Sequence, residues 1–233
     1  MDEPLGTTPV PTVQAVEAWL RTADALLCGL NHALSNRVSG LAIISLLREG
    51  WQMNAAEVEE LTAEMAKLDD LLRLYRLLER HDAAQAEPIL VPDAVSDALA
   101  LFAHHPLVRE VTCTVSGDAD TPPVLLVPSA FVHALALLIS AAAVRIDGGT
   151  RAGGLHLSYA HDAALVSIVV ETRTPAWALP EDDPNGGVPE LAAIGWLTRG
   201  AAVSVAESRT SDGALRLEMR LRTLARARTL KHT

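Results

Sequence analysis

The N-terminal third of the chain carries two long stretches of helical hydrophobic periodicity, separated by a helix stop and a helix start. From Val13 to about Glu49, apolar residues recur at three- and four-residue intervals, the spacing of one face of an α-helix. Gly50 ends that pattern, and residues 54–57 (Asn-Ala-Ala-Glu) form a capping box that begins the next one. Two long helices joined by a short turn pack antiparallel, so the sequence predicts a helical hairpin.

The second helical pattern runs to about Arg80 with an apolar spacing near 3.5 residues, the period of helical bundles. Both apolar stripes are wide, and pairing them within one hairpin leaves apolar surface exposed. Two hairpins packed face to face form a four-helix bundle that buries it, so we expect a homodimer with twofold symmetry. The stripes contain Leu20, Leu27, Leu30, Leu34, Leu41, Ile44 and Leu47 in the first helix and Val58, Leu61, Met65, Leu68, Leu72 and Tyr75 in the second.

After the connector 81–91 the pattern changes to mixed helices and strands. Helices are predicted at 93–104, 128–145 and 189–199, and strands at 109–116, 155–160, 164–171, 202–208 and 214–221. The last two strands flank Asp212-Gly213, a hairpin turn signal. This order predicts a two-layer α/β sandwich and hence the α+β class. We assign residues 13–82 to a helical hairpin domain and residues 88–224 to a sandwich domain.

Composition and charge limit the kinds of binding partner and the cellular compartments that are compatible with this chain. The chain has 233 residues and a net charge of −10, which makes duplex nucleic acid an unfavourable partner. Its two cysteines, Cys28 and Cys113, have neither zinc-type nor disulfide-framework spacing. The N-terminus lacks the apolar segment of a signal peptide, and the longest apolar run is shorter than the roughly 20 residues of a membrane helix. We expect a cytoplasmic protein that has no membrane contact.

One histidine lies on the polar side of the first predicted helix. Consecutive helical residues are about 100° apart, so His32 points nearly opposite the stripe through Leu30 and Leu34. Asn36, one turn later, and Ser39 face the same way. A neutral imidazole at an exposed position is a nucleophile at neutral pH. The alternative is that His32 is one of the many polar surface residues that have no function.

The residues around this histidine resemble the phospho-accepting H-box of two-component histidine kinases. In that motif the histidine is followed by an acid, an aliphatic residue, a variable residue, Asn or Thr, and proline. His32 matches the phosphorylated histidine, Asn36 matches the amide, and the aliphatic positions are also matched. Ala33 replaces the acid that takes the proton during attack on ATP, and Arg37 replaces the proline. The resemblance therefore favours phosphotransfer over autophosphorylation.

The order of elements in residues 88–222 resembles the ATP-binding sandwich of the same kinases, but its three nucleotide motifs are degenerate. Ser140 stands where the family has a magnesium-binding Asn, and a hydroxyl is a poorer ligand. The strand that ends in Asp-x-Gly-x-Gly runs here into Glu171-Thr-Arg-Thr-Pro, without either glycine. The phosphate loop is reduced to Gly186-Gly187 before a proline. This implies that the domain binds neither ATP nor a cofactor or metal; an unrelated α/β sandwich is the alternative.

The resemblance implies a dimeric histidine phosphotransfer protein that relays phosphoryl groups between the aspartates of response-regulator receiver domains without binding ATP. His32 accepts the phosphoryl group in this hypothesis and Asn36 positions it. Asn31, Arg37 and Ser39 contact the receiver, which supplies the magnesium ion. Its enzymatic class is then that of a phosphotransferase intermediate in a two-component phosphorelay. Two alternatives stay open: a divergent active histidine kinase, and a non-catalytic dimeric signalling scaffold.

Overall fold

The computed structural model describes residues 12–47, 54–79, 85–106, 111–146, 154–175, 189–199, 201, 203–211 and 213–230. Its helices are α1 (Val13–Leu47), α2 (Ala55–Leu78), α3 (Val91–Phe102), α4 (Pro128–Ala143), α5 (Pro189–Leu197) and α6 (Leu224–Leu230). Its strands are β1 (Glu87–Ile89), β2 (Thr112–Gly117), β3 (Val124–Leu126), β4 (Gly154–His161), β5 (Leu165–Pro175), β6 (Val203–Arg209) and β7 (Ala214–Arg222). The predicted α+β class, with a helical hairpin followed by a sandwich, is confirmed.

Helices α1 and α2 form the antiparallel hairpin. The Asn54 side chain accepts a hydrogen bond from the Glu57 backbone N–H at 3.0 Å, and the Glu57 carboxylate accepts one from the Asn54 N–H at 2.8 Å. The predicted capping box at the start of α2 is therefore confirmed. An ion pair of 2.8 Å between Arg37 and Glu64 joins the two helices. Gly50, the predicted helix stop, lies outside the described residues.

The sandwich contains a five-stranded sheet in the order β2-β4-β5-β7-β6. Strand β2 runs parallel to β4, and the other neighbouring pairs are antiparallel. Gly213, in the turn between β6 and β7, has a φ of 84°, which favours glycine and agrees with the predicted hairpin turn. Asp212 lies outside the described residues. The short strands β1 and β3 pair with each other, and neither of them, nor α6, is among the elements predicted from the sequence.

Helix α4 lies between the sheet and the helical hairpin. Every residue from Phe131 to Ala143 is buried, and all of them except His133 and Ser140 are apolar, which fits a helix that is covered on every side. Ile168 and Leu217 of the sheet and Leu26 and Leu74 of the hairpin belong to the same cluster of buried apolar residues as α4. The hairpin and the sandwich therefore share one continuous core.

The predicted apolar stripes are only partly buried within one chain. In α2 the buried residues are Leu71, Leu74 and Leu78, which the predicted stripe does not contain. Residues Leu20, Val58, Met65 and Leu72 of the stripes are between 40% and 59% exposed. Val58, Met65 and Leu72 are seven residues apart, so they share one face of α2. The predicted apolar period of α2 is therefore correct. The predicted stripe is wrong in one respect, since it does not include the three leucines of α2 that are buried against the rest of the chain.

None of the described helices, including the 35-residue α1, has an apolar stretch of the length that a bilayer requires. In the same parts of the chain, no three His, Cys, Asp or Glu side chains come together as a metal ion would need.

Candidate functional site

His32 is exposed on α1, and it lies one helical turn from Asn36. The amide nitrogen Nδ2 of Asn36 is 3.2 Å from Nε2 of the imidazole. An amide nitrogen can only donate a hydrogen bond, so Nε2 accepts it and the proton of the neutral ring lies on Nδ1. The side chain of Asn36 thus selects the tautomer whose lone pair is on Nε2. That tautomer is a nucleophile at this atom without any loss of a proton.

The remaining predicted receiver contacts fall into two groups. Asn31 and Ser39 are exposed on α1, on either side of the His32–Asn36 pair in sequence. Arg37 instead reaches across to α2, where its Nη1 donates to Oε2 of Glu64 at 2.8 Å. The structure therefore brings His32 and Asn36 together, whereas Arg37 binds Glu64 of α2.

A cleft of about 400 Å³ lies beside the His32–Asn36 pair, between the two hairpin helices and the turn after α3. It is lined by Ala33, Asn36 and Arg37 of α1, by Lys67, Asp70, Leu71 and Leu74 of α2, and by His104. Lys67, Asp70 and His104 are not among the site residues predicted from the sequence. Only the packing of α2 and α3 on α1 brings these distant positions next to the H-box-like segment, so no local pattern marks them.

Glu64 holds the two cations of the cleft at the same time. Lys67 Nζ lies 2.6 Å from Oε1 of Glu64, and Arg37 Nη1 lies 2.8 Å from Oε2. The hydrogen bond from Lys67, together with that from Arg37, keeps the pKa of the Glu64 carboxyl below its ordinary value, although burial opposes this. The carboxylate therefore stays ionised at neutral pH.

Helix α1 approaches the sandwich closely at Gly29. A Cβ at this position would overlap the backbone carbonyl oxygen of His104, so only glycine permits the approach. An ion pair of 2.6 Å between Arg73 of α2 and Asp97 of α3 lies in the same junction. Burial lowers the pKa of the His104 ring, which is therefore neutral at neutral pH. The wall of the cleft that His104 forms is fixed to the hairpin by these contacts.

His133 joins both hairpin helices to α4. The indole N–H of Trp19 donates to Nδ1 of His133 at 3.0 Å, and Nε2–H of His133 donates to the carbonyl oxygen of Leu78 at 3.2 Å. Because an indole can only donate, the ring is neutral with its proton on Nε2. Trp19 also meets Trp196 edge-on, with 5.7 Å between ring centroids. His133 is thus a structural histidine, unlike the exposed His32.

Two of the positions that resemble nucleotide motifs make structural contacts in the sheet. Glu171 of β5 pairs with Arg216 of β7 at 2.6 Å. The next residue, Thr172, is buried, and its hydroxyl accepts a hydrogen bond from the Leu215 backbone N–H at 2.9 Å. Ser140 is buried within α4. Gly186 and Gly187, the predicted remnant of a phosphate loop, lie outside the described residues.

No protein-family model matches this chain, and no curated protein sequence matches it. Several solved structures do. The catalytic domain of the histidine kinase ThkA is 9% identical over 60% of this chain and 96% of that domain, with a TM-score of 0.48. A histidine kinase from Burkholderia phymatum is 14% identical over 91% of this chain and 99% of that one, also with a TM-score of 0.48. The histidine kinase AdeS of Acinetobacter baumannii is 16% identical over 85% of this chain and 97% of its own, with a TM-score of 0.45. At this similarity these proteins assign neither an activity nor a ligand to the chain.

Proposed function

We propose that this chain is a histidine phosphotransfer protein. His32 accepts a phosphoryl group from the aspartyl phosphate of one receiver domain and passes it to the aspartate of a second. The observation that carries the proposal is the pairing of an exposed imidazole with Asn36, which leaves the lone pair on Nε2. The H-box-like sequence around His32 supports the same function.

The proposed step needs alignment more than acid–base chemistry. The lone pair on Nε2 forms the N–P bond while the P–O bond to the aspartate breaks, and the carboxylate leaves with the bonding electrons. The ring keeps the proton on Nδ1 and carries a positive charge until the phosphoryl group moves to the second aspartate. Because Nε2 has no proton to lose, Ala33 is compatible with this step. Phosphoryl transfer is accelerated mainly by positioning and charge neutralisation, and here the receiver brings the magnesium ion.

Asn36 has two roles in this proposal. Without a partner its amide donates to Nε2 and fixes the tautomer of His32. When the phosphoryl group arrives, Nε2 exchanges that hydrogen bond for the bond to phosphorus, and the amide donates to a phosphoryl oxygen instead. Asn31 and Ser39, exposed on the same helix, are the proposed receiver contacts.

We propose that the protein acts as a homodimer. The face of α2 that carries Val58, Met65 and Leu72 is apolar and exposed, and its seven-residue spacing is that of a helical bundle. A second copy of the hairpin covers this face in a four-helix bundle. His32 lies on the other helix and stays accessible to a receiver.

A divergent histidine kinase is the second candidate function, and the order of helices and strands in the sandwich favours it. Two contacts argue against a kinase. Glu171 pairs with Arg216 and Thr172 bonds to Leu215, so the side chains of Glu171 and Thr172 already have partners within the sheet. Autophosphorylation also needs a group that activates His32 toward ATP, and Ala33 supplies none. Labelling with ATP that carries ³²P in its γ-phosphate separates the two candidates, since only a kinase acquires label from it.

The test of the proposed function is transfer of ³²P from a receiver domain that carries labelled aspartyl phosphate. We expect an acid-labile, base-stable label on the chain that is lost in His32→Ala. The control is His161→Ala, at an exposed histidine on β4, which should keep the label. Absence of label from the unsubstituted protein, with several receivers, would favour the scaffold.

A further inference from the structure

The cleft beside His32 contains two cations that share one carboxylate. Arg37 and Lys67 come from opposite walls, and Glu64 binds one of them with each of its oxygens. The Glu64 side chain is 21% exposed, whereas those of Arg37 and Lys67 are 43% and 53% exposed. Both cations are therefore more accessible to a ligand in the cleft than the carboxylate that binds them.

The geometry points to an anion site that Glu64 occupies in the resting protein. We propose that Arg37 and Lys67 bind the oxygens of a phosphoryl group, and that Glu64 takes the place of that group until it arrives. The inference rests on the proposed function of His32 and deepens it, since it assigns the residues that neutralise the charge of the transferred group. Asn36 connects the two parts, because it both bonds to His32 and lines the cleft.

Replacement of Glu64 by an incoming anion is energetically feasible. Ion pairs between partly exposed side chains contribute little to stability, so their loss costs little. Hydrogen bonds from Arg and Lys to a phosphoryl group are charge-assisted, and a phosphoryl group carries more negative charge than a carboxylate. The cleft also contains Asp70, which repels a free anion and keeps the affinity for phosphate alone low.

Inorganic phosphate is the simplest probe of the site. Titration with phosphate at constant ionic strength should shift the NMR signals of the Arg37 side-chain N–H and of the Asn36 amide. The variant Glu64→Gln, which frees both cations, should bind phosphate about fivefold more tightly. The control Glu59→Gln removes the same charge from an exposed position of α2 and should leave the affinity close to that of the unsubstituted protein. Equal affinity of the two variants, or no shift at Arg37, would overturn the anion site.

Phosphoramidate, a small donor of phosphoryl groups to histidine, tests the same site in the reaction. Attack by His32 forms the N–P bond and releases ammonia, so no receiver is needed. We expect Arg37→Gln and Lys67→Gln to slow the labelling of His32 about fivefold each, and Glu64→Gln to accelerate it. Labelling at the same rate in all of these variants would contradict the inference while leaving His32 as the acceptor. Phosphate binding without any labelling of His32 would contradict the proposed function while leaving the anion site intact.

Discussion

The indole N–H of Trp19 donates to Nδ1 of the buried His133 at 3.0 Å, and this hydrogen bond connects α1 to the central helix α4. Trp19→Phe keeps an aromatic ring but leaves the His133 lone pair without this donor. We expect a loss of about 2 kcal/mol in the free energy of unfolding, measured by urea denaturation.

A double-mutant cycle with His133→Leu isolates the hydrogen bond from the packing of the two rings. The Trp19–His133 pair should show a coupling energy of about 1 kcal/mol, so that the double variant is less destabilised than the sum of the two single variants. Strictly additive effects would show that the hydrogen bond does not hold the hairpin to α4.

Gly29 and Gly40 lie on the same helix and should respond oppositely to alanine. A Cβ at position 29 overlaps the His104 carbonyl oxygen, whereas a Cβ at position 40 meets no atom within 4 Å. We expect Gly29→Ala to destabilise the protein by about 2 kcal/mol. Gly40→Ala should stabilise it by about 0.5–1 kcal/mol because alanine has the higher helix propensity. The midpoints of thermal unfolding should therefore shift in opposite directions, and a stabilising Gly29→Ala would contradict the close contact.

Local signals in the sequence are sufficient to predict the helical hairpin. The periodicity of α1 and α2 extends over many turns, and the capping box of Asn54 and Glu57 depends only on residues three apart, so both could be predicted. Strands β1 and β3 have three residues each, too few for an alternating pattern to be recognised.

The candidate site also has a part that could be predicted from the sequence and a part that could not. His32 and Asn36 are one turn apart on α1, so their neighbourhood follows from helix geometry alone. The ion pair of Arg37 with Glu64 does not follow from the sequence, and neither does the second ion pair of Glu64, with Lys67. Both residues belong to another helix, whose register against α1 is set by tertiary packing. The contact of Trp196 with Trp19 of the hairpin is a further example, because it depends on how the hairpin packs on α5.

The stability of the protein should fall as the pH is lowered below 6.5. His105 is 3% exposed and stacks on Phe102, and burial lowers the pKa of its ring and that of His104. The unfolded imidazoles, near their ordinary pKa of 6.5, bind protons more readily than the folded ones. The stabilisation is therefore complete above pH 6.5 and is lost as the pH falls from there toward the folded pKa.

A suitable choice of pH distinguishes the contribution of His104 and His105 to the pH dependence of stability from that of the acidic groups. The free energy of unfolding in urea should be lower at about pH 5.5 than at about pH 7.5. Ordinary carboxylates are ionised at both of these pH values, so they do not contribute to the difference. His105→Asn should reduce this difference, and the control His161→Asn, at an exposed position, should leave it unchanged. An unchanged difference in His105→Asn would show that His105 does not contribute to it.

The apolar face of α2 gives a direct test of the homodimer. Met65 is 59% exposed and lies between Val58 and Leu72 on that face, so Met65→Glu places a charge in the middle of the proposed interface. We expect Met65→Glu to be monomeric in sedimentation velocity at concentrations where the unsubstituted protein is dimeric. Leu90→Glu, which adds a charge at an exposed apolar residue before α3, should stay dimeric. If the unsubstituted protein is itself monomeric, the proposed four-helix bundle is wrong.

The most direct test of the proposed phosphotransfer locates the phosphoryl group on the chain. Trypsin cleaves after Arg21 and Arg37, and the resulting peptide 22–37 contains His32 and no other histidine. After incubation with a phosphorylated receiver, mass spectrometry at neutral pH should find one phosphoryl group on this peptide, assigned to His32 by fragmentation and removed by brief acid treatment. An unmodified peptide 22–37, with the phosphoryl group elsewhere or on no residue of the chain, would contradict the proposal that His32 is the phosphoryl acceptor.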